Sequence, residues 1–243
     1  MRKVPSSALH QLDAERCRRD AQYFVFESGL VTKDEHDQHD PIKPFPDLPY
    51  LRSLLDCLLV SGRCLPHSRA HHASAAGHSD LWLHALATSG LFLVEKSRQV
   101  MATWLCCGYL LWRAKYLPHQ LILVQSKKED DAANLVFNRE PFVARISFME
   151  SHLPAHLRTA SFPKAGAYAN LTFPTGSRIW GIPEGGHTIR SNTPSVVFAD
   201  EAAFQPEFGG SFTAALPAIR GGGQYIAISS AEPGSFQELV EAA

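Results

Sequence analysis

The sequence predicts an α/β fold with a mainly parallel central sheet flanked by helices on both faces. Three observations carry that prediction. Leu91 to Trp104 (LFLVEKSRQVMATW) passes from a short apolar strand, Leu91 to Val94, through a compact polar turn into a long apolar run. Strand, tight loop and helix in that order gather backbone N–H groups and a helix N-terminus around a phosphate. Ser195 to Phe204 (SVVFADEAAF) holds a second apolar strand, Val196 to Ala199, that ends in Asp200-Glu201. A carboxylate at the end of a buried parallel strand can hold Mg²⁺ through water, and an adjacent glutamate can polarise an attacking water. Between the two stretches strand and helix alternate, as a parallel sheet requires.

Taken in order, residues 1–22 are polar with mixed charge and predict a surface helix whose arginines form a solvated face. Residues 23–50 bring an apolar patch, an acidic and histidine-rich loop, then Pro41, Pro44, Pro46 and Pro49, which force extended, turn-rich backbone. Leu51 to Val60 has apolar residues at helical spacing. Residues 61–80, Ser/Ala/Gly-rich, read as a mobile insertion. Cys64, His67, His71, His72 and His78 fall in this stretch at metal-like spacings. The absence of a paired second cysteine speaks against zinc, because structural sites usually present two pairs of ligands.

After the polar turn, Thr103 to Tyr116 is apolar all round and predicts a helix buried on both faces. Leu121 to Val124 is a strand, Ser126 to Arg139 an amphipathic helix, and Pro141 to His152 another helix. Ala169 to Phe173 and Arg178 to Ile182, joined by Pro174-Thr175-Gly176-Ser177, predict a hairpin. Beyond the Val196 strand come a short helix over Phe212 to Ile219, a strand over Gln224 to Ser229, and a helix from near Phe236.

At 243 residues and 45% apolar content the chain can bury a full core, and residues 23–243 fit one domain. Lys and Arg total 23 against 24 Asp and Glu, so no basic field covers the whole domain. That argues against tight static binding of nucleic acid by this domain alone, though not against transient contacts. Five irregularly spaced cysteines point to a reducing, cytoplasmic setting, and the apolar runs are too short to span a membrane.

Set against G-x-x-x-x-G-K-[ST], the turn reads Lys96-Ser97-Arg98-Gln99-Val100-Met101-Ala102-Thr103. Met101 replaces the second glycine and Ala102 the lysine. The Mg²⁺-binding hydroxyl survives at Thr103, and two cations, Lys96 and Arg98, open the loop.

Four blocks in order give the chain a resemblance, from about Phe24 onward, to the ATPase domain of the large terminase subunits, the DNA-packaging motors of tailed bacteriophages. KSRQVMATW resembles their deviant Walker A loop, some examples of which carry the lysine early. VVFADEAAF resembles their Walker B segment with its catalytic glutamate. ISSAEPGSF, at 228–236, resembles the coupling motif. TFPTGSRIWGIPEGGHTIRSNTPS resembles the hairpin and the arginine loop that precede Walker B.

The resemblance implies a P-loop NTPase of the ASCE type that uses ATP and Mg²⁺. Thr103 would bind the metal directly and Asp200 through water, while Glu201 would orient the attacking water. Lys96 would replace the lysine missing at Ala102, and Arg98 would lie over the phosphates. In the family the segment ahead of Walker A covers the adenine. Phe45 and Tyr50 in PFPDLPYLR would therefore touch the base, or else pack beneath an irregular loop. Arg190 would be a finger acting on a neighbouring subunit, or an ordinary surface arginine. Ser229, Ser230 and Ala231 would sense the phosphate state. The partners implied are double-stranded DNA, held transiently, a portal protein, a small terminase subunit, and further copies of the chain in a ring on the procapsid in the host cytoplasm. The family's nuclease half is expected to be absent, and with it DNA cutting. Other readings are a helicase or recombination ATPase of the same superclass, and a degenerate nucleotide-binding scaffold or prophage remnant, which Ala102 favours.

Overall fold

The structure is a computed structural model that describes residues 6–34, 36–37, 39–62, 71–74, 83–88, 90–98, 100–139, 143–159 and 168–242. Helices α1 (Ser6–Arg19) and α2 (Ala21–Phe26) come first. Asp20 caps α2 by accepting from the Tyr23 N–H at 3.0 Å. Strands β1 (Val31–Lys33) and β2 (Ile42–Pro44) form a separate antiparallel ribbon. Then follow α3 (Pro49–Ser61), β3 (His71–Ser74), β4 (Leu83–Thr88), β5 (Leu91–Lys96), α4 (Ala102–Tyr116), β6 (Leu121–Ser126), α5 (Glu129–Val136) and α6 (Arg145–His152). The chain continues through β7 (Asn170–Thr172), β8 (Arg178–Pro183), α7 (His187–Arg190), β9 (Val196–Asp200), α8 (Phe208–Arg220), β10 (Gln224–Ser229) and α9 (Ser235–Ala242).

The main sheet runs β3-β4-β5-β10-β9-β6-β8-β7. Its five inner strands, β5 to β8, are parallel, with antiparallel β4 and β3 beyond β5 and antiparallel β7 beyond β8. The parallel strands are apolar on both faces because both faces are covered. Phe92, Val94, Phe198 and Ile226 pack into one core with α2, α3, α4 and α6. Leu93, Val197, Ala199 and Ala227 pack into a second with α8 and α9.

Helix α4 is the central support. Every side chain from Leu105 to Ala114 is buried, as the unbroken apolar run predicts. Its C-terminal carbonyls are met by the hairpin turn: Thr175 Oγ1 donates to Ala114 O at 2.6 Å and Ser177 Oγ to Leu117 O at 2.7 Å. That turn needs Gly176, which has φ +78° and lies where a Cβ would meet the His119 ring at 2.7 Å.

Several boundaries depart from expectation. Residues 71–74, expected within a mobile insertion, form β3 and pair with β4, a strand the sequence did not announce. Cys64, His67 and His78 lie outside the described residues, and no group of three or more His, Cys, Asp or Glu among the described residues is placed to hold a metal. Helix α5 starts at Glu129 because Ser126 still belongs to β6, and it ends where Phe137 turns extended. Helix α8 starts four residues ahead of Phe212, through Gly209 and Gly210. Among the described residues no helix is long and apolar enough to cross a membrane.

Candidate active site

The C-terminal ends of β5, β10, β9 and β6 bring their following residues to one rim of the sheet, where ligands of open parallel sheets bind. The register decides who meets there. Ser229 pairs with Glu95 across β10 and β5, and Ile228 with Asp200 across β10 and β9. Lys96, Ser230 and Glu201 are therefore the next residues out on three adjacent strands.

Lys96 is only 5% exposed, and its ammonium lies 3.2 Å from Glu201 Oε1. Glu201 also accepts weakly from the Ser230 N–H, at 3.4 Å. Beside this pair, Thr103 Oγ1 donates to Asp200 Oδ1 at 3.1 Å. Gln205 Nε2 holds the Asp200 carbonyl at 2.8 Å, and the Ala203 N–H donates to Ser229 Oγ at 3.1 Å. Burial pushes the Asp200 carboxyl up to about 6. The positive charge of Arg145 opposes that, Glu201 adds to it, and Lys96 and the Thr103 hydroxyl oppose it further.

Two residues here adopt left-handed backbone. Met101, the N-cap of α4, has φ 58° and ψ 7°, and Glu201 has φ 48° and ψ 49°. Each costs about 1–2 kcal/mol for a residue with a Cβ. Met101 thus takes the conformation for which phosphate loops use a second glycine. Ala102 is buried at 1% exposure and offers no side chain in the lysine's usual place.

The groups open onto one cavity of about 990 Å³, at the upper end of the range for small-molecule sites. Arg98 lies exposed on its wall, and Val100 and Ala102 form part of its floor. Ser97 is half-buried nearby, and Gln99 lies outside the described residues. Ser230 reaches the cavity, whereas Ser229 is buried behind it and Ala231 is exposed away from it.

Phe45 and Tyr50 are not brought to the cavity. Phe45 is 5% exposed and packs edge-on against Phe26, 5.6 Å between centroids. The Tyr50 hydroxyl points at Val100 O, at 3.4 Å, from behind the loop. The β1–β2 ribbon borders the cavity instead, through Thr32 and Lys43, joined by Pro46 just beyond β2. Arg190 is exposed and lies by a second cavity, of about 580 Å³, beside Ser195 and Gly223 at the opposite ends of the strands. It does not line the cavity of its own chain.

Sequence reasoning missed Arg145, Trp104, Ser126 and Lys127, all on the cavity wall. Ser126-Lys127 was findable, since it ends a predicted parallel strand. Arg145 carried no signal, being one charge in a predicted helix.

A mostly parallel sheet in which β10 separates β5, the strand that leads through the Lys96–Thr103 turn into α4, from β9, which ends in Asp200, has the strand arrangement of the P-loop NTPase fold of the ASCE type. Among solved structures, the large terminase of bacteriophage HK97 shares this fold, with a TM-score of 0.55 and 15% identity over 88% of this chain and 37% of that one. The chain thus spans little more than a third of that protein's length. The ATPase domain of the Thermus phage P74-26 large terminase aligns over 60% of this chain and 61% of that one, with 17% identity and a TM-score of 0.37. No protein-family model and no curated protein matches the sequence.

Proposed function

We propose that this chain is the ATP-hydrolysing motor domain of a viral DNA-packaging terminase, translocating double-stranded DNA into a procapsid. The observation that carries the reading is the paired constellation at the rim: Lys96 against Glu201 at 3.2 Å and Thr103 against Asp200 at 3.1 Å. The residues fit the groups such chemistry needs. A hydroxyl and a carboxylate 3.1 Å apart are the hard oxygen donors that Mg²⁺ prefers, and such a site is completed by phosphate oxygens and water. The ion would supply charge neutralisation at the terminal phosphates.

The chain's own groups divide the remaining work. Lys96 exchanges its Glu201 partner for phosphate oxygens, as an early-placed substitute for the lysine absent at Ala102. Glu201, released, accepts a hydrogen bond from water and aligns it for attack. Arg98 neutralises charge from the solvent side. Ser230, bonded through its N–H to Glu201, links the state of the glutamate to β10, and Ser229 links β10 to the turn after Asp200. Arg190 serves the site of an adjacent copy in a ring docked on a portal, with a small terminase subunit delivering the DNA.

The test is ATP turnover by the purified chain with Mg²⁺ over a range of protein concentrations. Lys96→Ala and Glu201→Gln should each lower the rate by about 10²-fold or more, and wild-type turnover per chain should rise with concentration. Turnover indifferent to Lys96 would overturn the phosphate-loop assignment. The buried Ala102 favours one rival, a nucleotide-binding scaffold. Wild type that binds ATP without turning it over at any concentration would establish it.

A further inference from the structure

Helix α6 opens on Arg145, directly after the extended N-cap Ala144. Its guanidinium carbon lies 5.6 Å from the centre of the Trp104 ring. Trp104 is itself the residue after Thr103, and Phe148, one turn along α6, braces it edge-on at 6.1 Å. Arg145 and Trp104 share the cavity wall with Lys96, Thr103, Asp200 and Glu201. Among the described residues no carboxylate comes within ion-pair distance of Arg145 and none accepts a hydrogen bond from it, although Asp200 is near enough to feel its charge. Lys96, by contrast, is held by Glu201, and Arg52 and Lys43 are tied to acids. An aromatic face fixes the plane of a guanidinium while leaving its N–H edge available for planar, bidentate recognition of phosphate. The positive charge is also felt at Asp200, where it opposes the effect of burial.

We propose that Arg145 is a cis-acting phosphate clamp that binds the terminal phosphate of ATP, so that this chain distinguishes ATP from ADP by a residue on α6 as well as by its phosphate loop. The proposal rests on the nucleotide-site reading above. Its chemical basis is charge. A triphosphate placed beside Asp200 and Glu201 brings more negative charge than Lys96 and Arg98 balance, and among the described cations on the cavity wall, which include Lys33, Lys43 and Lys127, Arg145 is one held in place by an aromatic ring. Because α6 packs on α4, movement of Arg145 toward a terminal phosphate would also pull on the helix that carries Thr103. Loss of that phosphate on hydrolysis would release it.

The experiment is calorimetric binding of a non-hydrolysable ATP analogue and of ADP, each with Mg²⁺, to the full chain as wild type, Arg145→Ala, Arg145→Gln and Arg145→Lys. Thermal melting accompanies each variant. The expected result is that Ala and Gln weaken the triphosphate analogue by at least about tenfold and ADP by less than about twofold, with Lys intermediate. Equal weakening of both nucleotides, or of neither, overturns the clamp. Weakening removed by raising Mg²⁺ overturns it as well, since Arg145 would then only balance Asp200. Wild type that binds neither nucleotide overturns the underlying reading of the site, a failure distinct from an unchanged ratio.

Discussion

Asp200 sits at the end of a strand buried along its whole length, and the cost of that position shows in its proton affinity. Burial holds its carboxyl up at about 6 against an ordinary 3.8. Between those values the folded, metal-free chain binds a proton that the unfolded chain has lost. Stability therefore falls as pH rises from about 4 to 6 and stays reduced above. Asparagine keeps the shape and the acceptor for Thr103 without the charge. Asp200→Asn should match wild type near the lower pH. It should exceed it by on the order of 2–3 kcal/mol near neutrality, with chelator present. Urea unfolding at several pH values reads this directly. Two stability profiles that stay parallel from acid to neutral pH would show that the buried charge costs nothing. The same sign would favour a divalent cation bound beside Asp200, since a carboxylate poorly solvated by its surroundings gains most from a metal.

Among the elements, the junction of β5 with α4 is where the sequence pattern and the physics part company. The letters lack a glycine at Met101, yet the backbone there is left-handed, because a strand entering a buried helix within so few residues leaves few other paths. Replacing Met101 by alanine or by glycine removes the same side-chain packing, so the difference between the two variants isolates the backbone. Met101→Gly should be more stable than Met101→Ala by about 1 kcal/mol, measured by thermal or urea unfolding, and equal stabilities would mean the loop relaxes on truncation. The elements with strong periodicity were legible: α3, α4, β6, β9, β10 and the β7–β8 hairpin follow from apolar spacing and turn residues. Those the sequence hid had competing local signals. Gly209 and Gly210 read as breakers yet lie in the first turn of α8, where helix propensity matters less than the burial of Phe208 and Ser211. Strand β3, with the sequence HHAS, has no β-branched residue and no Phe, Tyr or Trp, and it pairs with the edge that β4 offers. Phe45, which the sequence offered either as a base contact or as packing beneath an irregular loop, lies against Phe26, because a large apolar ring ahead of a helix finds more burial there than a polar cavity gives it.

At the scale of the whole molecule the sequence could place Lys96, Asp200 and Glu201 at strand ends and Thr103 at the start of the helix that follows β5, because parallel strands deliver their C-termini to one rim. It could not place Arg145, whose approach depends on how α6 packs against α4. Nor could it place Arg190, and the structure sets that residue at the other end of the strands, by Ser195 and Gly223, out of reach of the cavity in its own chain. If the chain works as a ring with head-to-tail contacts, each working interface needs Lys96 and Glu201 from one copy and Arg190 from the next. Glu201→Gln and Arg190→Ala should then each abolish turnover alone. A one-to-one mixture should recover roughly a quarter of wild-type activity, the share of randomly formed interfaces in which an Arg190→Ala copy supplies the site and a Glu201→Gln copy supplies the arginine. ATP turnover of the mixture, with size-exclusion chromatography to confirm that the two variants co-assemble, decides it. A co-assembled mixture that stays inactive would mean Arg190 does not act across a subunit boundary. The distance between its cavity and the phosphate loop would then mark it as a surface residue with a different task.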